Sequence, residues 1–184
     1  ITNSGEIISR SLGGSAIEIA SDTALIDNLS GGSIIHSVSQ AGSLILLRDN
    51  NVTVDTLRNA GLLSGADAIG VDVGASDTIT TFINSGTIHS TAGSNPSTAN
   101  AAVRVQGAIG SFTNSNVIAS DRGPAVLLDG GTITTLNNTN TLAGGSSNAS
   151  NGVVFLDDGG AITSFTHSGT IVTGGSAAQS GIEF

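Results

Sequence analysis

Three aspartates are the first residues whose placement could do chemistry. Asp129 closes the run AVLLDGG, and Asp157 with Asp158 closes VVFLDDGG one repeat later. Three carboxylates beside turn carbonyls could hold Ca²⁺, and one of them with a raised pKa could serve as a general acid. Asp-Gly-Gly is also a preferred turn sequence, because Asp bonds its own backbone and Gly accepts positive φ. The turn is the expectation, with Asp129, Asp157 and Asp158 as the candidate calcium ligands. His36 and His89 each follow Ile and precede Ser. Two coils apart, they would sit about 10 Å from each other at the β-strand spacing. That is too far to share one zinc ion, so both are expected to face solvent.

Other chemistries lack their residues. The chain of 184 residues has no Cys, so thiol catalysis, iron–sulfur clusters and cysteine zinc sites are excluded. No GxSxG elbow supports a serine nucleophile. Trp and Tyr are absent, which removes the usual stacking platforms for sugars. The expectation is a protein that is not an enzyme and carries no cofactor. Fourteen acids against five basic residues, all scattered Arg, give a net charge of −9 and argue against a nucleic-acid surface or an anionic membrane surface. No apolar run approaches the roughly 18 residues needed to cross a bilayer as a helix.

The elements that position these residues are short runs rich in Val, Ile and Thr, punctuated by Gly, Asn, Ser and Asp, which is an all-β pattern. One phrase returns along the chain: TITTFINSGTI at 78–88, AIGSFTNSNVI at 108–118, TITTLNNTNTL at 132–142 and AITSFTHSGTI at 161–171. Weaker copies at 1–7, 24–34 and 52–63 bring the total to seven. The polar markers Asn3, Asn28, Asn59, Asn84, Asn114, Asn138 and His167 are separated by 25, 31, 25, 30, 24 and 29 residues. A second strand follows each phrase, at 16–20, 43–47, 68–73, 102–106, 125–129, 152–157 and 181–184. Such a unit cannot bury its own apolar face, whereas stacking closes both the core and the backbone hydrogen bonds. The period predicts a parallel β-helix, or β-solenoid, of about seven rungs of 24–31 residues.

The columns then acquire roles. Two residues before each marker stand Ile1, Ile26, Leu57, Phe82, Phe112, Leu136 and Phe165, expected as one interior apolar stack. Four residues after it stand Ile7, Leu63, Ile88, Ile118, Leu142 and Ile171, a second interior column. Only the Asn28 coil breaks it, carrying Ile34 two residues late, and a bulge is expected there. The marker residues are expected to bond to each other as a structural ladder, with His167 substituting in the last coil. Long insertions at 91–101, 143–151 and 173–180 project from one corner, and Asn95, Asn100, Ser146, Asn148 and Asn151 are the candidate binding positions on the first two.

The repeats FINSGTI, FTNSNVI and FTHSGTI resemble those of bacterial autotransporter passenger domains, the pertactin-like secreted β-helices, along essentially the whole chain. The resemblance implies a right-handed helix, export through a C-terminal membrane barrel that this chain lacks, and display on the bacterial outer surface. It also implies an adhesin or rigid stalk, with a surface glycan, a protein or another copy as partner. A cysteine-free chain suits such export. The alternatives are a self-assembling extracellular filament subunit and, within the same architecture, a polysaccharide-degrading enzyme. Residues 1–184 read as a single β-helix segment cut from a longer repeat protein, since GIEF ends inside an expected strand.

Overall fold

Short β-branched runs bounded by Asn-Ser-Gly turns favour extended backbone, and Thr78–Asn84 shows the resulting pattern. Ile79, Phe82 and Asn84 are buried, while Thr80 faces out and Thr81 is half-exposed. Two non-buried residues in a row replace strict alternation, and the same placement recurs in Ala108–Asn114 and Thr132–Asn138. The computed structural model describes residues 1–38, 42–48, 51–92, 101–145, 152–174 and 181–183.

Each repeat supplies three strands, which join three parallel sheets of seven strands. The first sheet takes Thr2–Asn3, Thr23–Asn28, Thr53–Asn59, Thr78–Asn84, Ala108–Asn114, Thr132–Asn138 and Ala161–His167. The second takes the strand just after each marker, from Glu6–Ser9 through Thr87–Thr91 to Thr170–Thr173. The third takes the strand that closes each coil, from Ile17–Ile19 through Val103–Val105 to Ile182–Glu183. The protein is a parallel β-solenoid, and five of the seven strands in every sheet are flanked on both sides. The described residues contain no helix, and so none long and apolar enough to cross a membrane.

Register follows the columns. Phe82 pairs with Leu57 below and Phe112 above, and Phe112 pairs with Leu136. The two Phe rings stack with centroids 4.4 Å apart and planes 8° from parallel. Beside them run Val54, Ile79, Ile109 and Ile133 from the first sheet. Ile34, Leu63, Ile88, Ile118 and Leu142 form the second sheet's column, and Leu47, Val73, Val105 and Leu128 the third's. All belong to one continuous buried core. Two expectations need correction. Ile1 lies at the level of Ile26 but is 53% exposed rather than interior. The late arrival of Ile34 reflects a longer turn rather than a bulge: the amide of Gly32 donates to Leu29 O at 2.8 Å, with Gly31 at φ 86°. Strand pairing resumes in register at Ser33 with Ile34 opposite Ile7.

The Gly of the Asn-Ser-Gly turn answers to close stacking. A Cβ on Gly86 would overlap the Gly61 carbonyl oxygen, and one on Gly61 would overlap that of Gly32. At Gly61 and Gly86 the turn backbones of successive coils thus touch with no room for a side chain, whereas later coils carry Asn116 and Asn140 at this position, their amides bonded to Ser85 O and Ser115 O of the coil before.

Candidate functional site

The marker residues stand in one file. Nδ2 of Asn3, Asn28, Asn59 and Asn84 donates in turn to Oδ1 of Asn28, Asn59, Asn84 and Asn114, each at 2.8 Å. Asn114 continues to Asn138 at 2.7 Å. Second donations tie the file to the backbone of its own turn and of the next coil, as from Asn84 to Gly86 O at 3.0 Å and Val117 O at 3.2 Å. Asn28, Asn59, Asn84, Asn114 and Asn138 are buried, which is tolerable only because both ends of each amide are bonded. His167 ends the file: Nδ1 lies 2.9 Å from Asn138 Nδ2. That Nδ2 also donates to Asn140 O at 2.8 Å, which marks it as the amide NH₂, so His167 Nδ1 is the acceptor. Every bond in the file is structural, and it runs through the same coils as the buried Ile26, Leu57, Phe82, Phe112 and Leu136, with Phe165 packed against the core from the last coil.

The aspartates serve turns and neighbours. Asp129 pairs in register with Asp157, and its Oδ2 accepts from Gln106 Nε2 at 2.9 Å. The Asp157 carbonyl accepts the amides of Gly130 at 3.0 Å and Gly160 at 2.8 Å, and its Oδ1 accepts the Asp158 amide at 2.9 Å. Asp158, Gly130 and Gly159 have φ of 50°, 78° and 82°. No group of three acidic or histidine side chains is placed to hold a metal ion among the described residues, so the candidate calcium ligands Asp129, Asp157 and Asp158 are not gathered into one cluster. Adjacent strands bring Asp129 and Asp157 side by side, while Asp158 lies in the left-handed turn that leads from the third sheet to the first.

The histidines differ from one another. His36, expected at the surface, is 1% exposed. Its Nδ1 lies 2.9 Å from Val38 O and its Nε2 3.0 Å from Gly14 O. Gly65, its register partner, and Gly42, whose Cβ would press on the ring, leave the space it fills. Period-two counting from the inward Ile34 places His36 inside, a signal present in the sequence and passed over. His89 does face outward. Its Nε2 meets Asp121 Oδ1 at 2.7 Å, and Asp121 Oδ2 accepts the Ala92 amide at 2.9 Å. Burial works against ionisation of Asp121, but the Ala92 amide, the His89 ring and Arg122 together hold its carboxyl below the usual carboxylate range. This group braces the start of the insertion at 91–101. Arg122 also approaches the buried Asp67, at 3.5 Å. The candidate binding positions Asn95, Asn100, Ser146, Asn148 and Asn151 lie outside the described residues.

The ion pairs escaped the sequence reading, among them two in which an Arg holds a buried Asp through paired hydrogen bonds. Arg58 clasps the buried Asp27 through one guanidinium edge, Nε to Oδ1 at 2.9 Å and Nη2 to Oδ2. The hydrogen bonds from Arg58, outweighing burial, hold the Asp27 carboxyl below its ordinary value. Asp72 accepts Arg104 Nε at 2.9 Å, Arg104 Nη2 at 2.8 Å and Ser43 Oγ at 3.1 Å. Aligning AIGVDV with AVRVQ by their inward Val residues puts Asp72 beside Arg104, which would have revealed the pair. No family model, curated protein or solved structure matches the chain.

Proposed function

We propose that the chain is a non-enzymatic segment of a protein displayed outside a bacterial cell, of the autotransporter-passenger kind, acting as a rigid rod that presents an adhesive surface. The observation that supports this most is continuity. Among the described residues one amide file and one apolar stack pass through successive coils without a break, which suits a rigid body. The polar residues best suited to chemistry are engaged in holding the rod together: His36 on carbonyls, Asp129 on Gln106, Asp157 on turn amides. Such a body suits reach and multivalent contact, in which many weak bonds along one axis add up.

The test is adhesion by the segment itself. Beads coated with it should attach to host or bacterial cells above the level of beads coated with an unrelated acidic protein of equal charge, and light scattering should show a monomer across concentrations. Attachment no better than the control would overturn the adhesive reading. Particles that lengthen with concentration would replace it with the filament subunit.

A further inference from the structure

The inward column at the corner after the second sheet is built from small residues, with one exception. Ser9, His36, Gly65, Ser90 and Ser120 are register partners in successive coils. In the fifth coil Ser120 Oγ accepts two amides of the turn that follows, Gly123 N at 2.8 Å and Arg122 N at 3.3 Å. In the second coil the polarity is reversed. The His36 ring, buried in the corner, faces two backbone carbonyls, Val38 O at 2.9 Å from Nδ1 and Gly14 O at 3.0 Å from Nε2.

A carbonyl oxygen can only accept, and a neutral imidazole has one N–H and one bare nitrogen. In either tautomer, the neutral ring therefore sets a nitrogen lone pair against a carbonyl oxygen at hydrogen-bond distance. The imidazolium has two N–H groups and satisfies both. Gly42 closes over the Gly14 contact: a Cβ there would lie 2.6 Å from Gly14 O and 3.1 Å from Nε2. Burial opposes the charge, and two charge-assisted hydrogen bonds oppose that cost.

The surroundings supply no counter-ion that would hold the ring charged at every pH. The strand below, Glu6–Ser9, carries the exposed Glu6 and leads to the exposed Arg10. The strand above, Leu62–Ala66, has no ionisable side chain and leads to Asp67, which Arg122 approaches at 3.5 Å. Gly42–Leu47 has none either and leads to Arg48, paired with Glu18 at 2.9 Å, while Asp72, which accepts from its Ser43, is held by Arg104. Among the described residues the ring is hydrogen-bonded to the two carbonyls alone.

We propose that His36 is a proton-dependent latch between the first two coils: the imidazolium ties the turn at Gly14 to the second coil, and loss of its proton as pH rises releases that turn. Val38 is two residues along the same coil, so its bond is local, whereas Gly14 belongs to the coil below. The coils are joined on either side of the turn, where Ser9 O accepts the Ser37 amide at 3.0 Å and the Ala16 amide donates to Ser43 O at 3.0 Å. Between those two points, among the described residues, His36 supplies the hydrogen bond across coils. The latched state holds one more proton than the open one, so acid favours the latch and base opens it. The latch stands on the corner's geometry and is independent of the adhesive reading.

The test uses the segment with His89→Gln and His167→Asn, which leaves His36 as its one histidine and restores the usual residue of the amide file at 167. Ring ¹⁵N NMR reads the protons, and hydrogen exchange of the Ala16 amide reads the corner, with the Ser115 amide, bonded to Asn84 O at 2.8 Å, as the remote control. Both ring nitrogens should be protonated at about pH 5.5 and one should be bare at about pH 8.5. Over the same step the protection of Ala16, corrected for intrinsic exchange, should fall about tenfold while that of Ser115 holds. His36→Ser, the residue the column uses in other coils, should remove the step. A ring that is neutral at about pH 5.5 overturns the proposal, as does one that titrates without a response at Ala16 or an equal fall in His36→Ser. Should that variant not fold, the ring spectrum and the Ala16 exchange of the His36 protein decide the matter.

Discussion

Replacing Asn84 by Ala cuts the amide file at its centre, and the consequences can be worked through bond by bond. Asn59 Nδ2 loses its 2.8 Å acceptor and keeps Thr87 O at 3.2 Å. Asn114 Oδ1 loses its 2.8 Å donor and retains only the Asn116 amide at 3.4 Å. No water can reach them, because Asn59, Asn84 and Asn114 are all 0% exposed. A buried polar group left unsatisfied costs about 1–3 kcal/mol, so two groups that each lose their shorter bond and keep only a longer one cost at most about 2–6 kcal/mol. With a urea dependence of about 2 kcal/mol/M, the unfolding midpoint followed by far-UV circular dichroism should fall by about 1–3 M. Asn3→Ala is the control, since Asn3 is 8% exposed and has one amide neighbour. Its loss should cost about 1 kcal/mol, the net worth of an ordinary hydrogen bond. Asn84→Asp adds a chemical signature. A carboxylate still accepts from Asn59 but opposes Asn114 Oδ1 with no proton to offer, so its penalty should shrink as pH falls and the carboxyl regains a donor. Equal midpoint shifts for Asn84→Ala and Asn3→Ala, or an Asn84→Asp penalty indifferent to pH, would refute the reasoning.

Three further expectations follow from the same packing. Phe112→Ala should cost about 3–5 kcal/mol through a cavity and the lost stacking on Phe82, whereas Thr113→Ala should stay within about 0.5 kcal/mol; similar melting temperatures for the two would contradict the register. Asp27 has a depressed carboxyl pKa, so its contribution is complete above the ordinary value of 3.8 and is lost as pH falls below that through the folded value. Asp27→Asn should therefore flatten the acid limb of the stability profile, and an unchanged limb would show that the clasp with Arg58 contributes nothing. Gly86→Ala should destabilise by about 1–3 kcal/mol because the new Cβ meets the backbone of the preceding coil. Gly5→Ala, whose Cβ meets nothing within 4 Å, should be nearly silent, and denaturation midpoints compare the two.

Much of this fold is visible before any coordinates, because a solenoid repeats its contacts in sequence. Spacings of 24 to 31 residues between Asn markers are the separations across which their amides bond. Phe82 and Phe112 announce an interior column by type and position alone. Corners are less legible, since a turn can absorb two residues without disturbing the strands it joins, as Leu29–Gly32 does. His36 shows how a polar residue type can mislead when period and neighbours decide its place: small partners at Gly42 and Gly65 make an inward histidine possible. Ion pairs such as Asp72 with Arg104 depend on cross-coil register 32 residues apart, which appears only once third-sheet strands are aligned by their inward valines. Function is least legible, because the exposed Ser and Thr of these strands have the composition any solvated strand favours.

Labelling of intact cells tests the central claim most directly. An antibody raised against this segment, applied to living cells that make the protein, should decorate their outer surface without permeabilisation, and protease added outside should remove the signal. Labelling that appears only after the envelope is opened, with the segment protected from external protease, would contradict a rod displayed for contact.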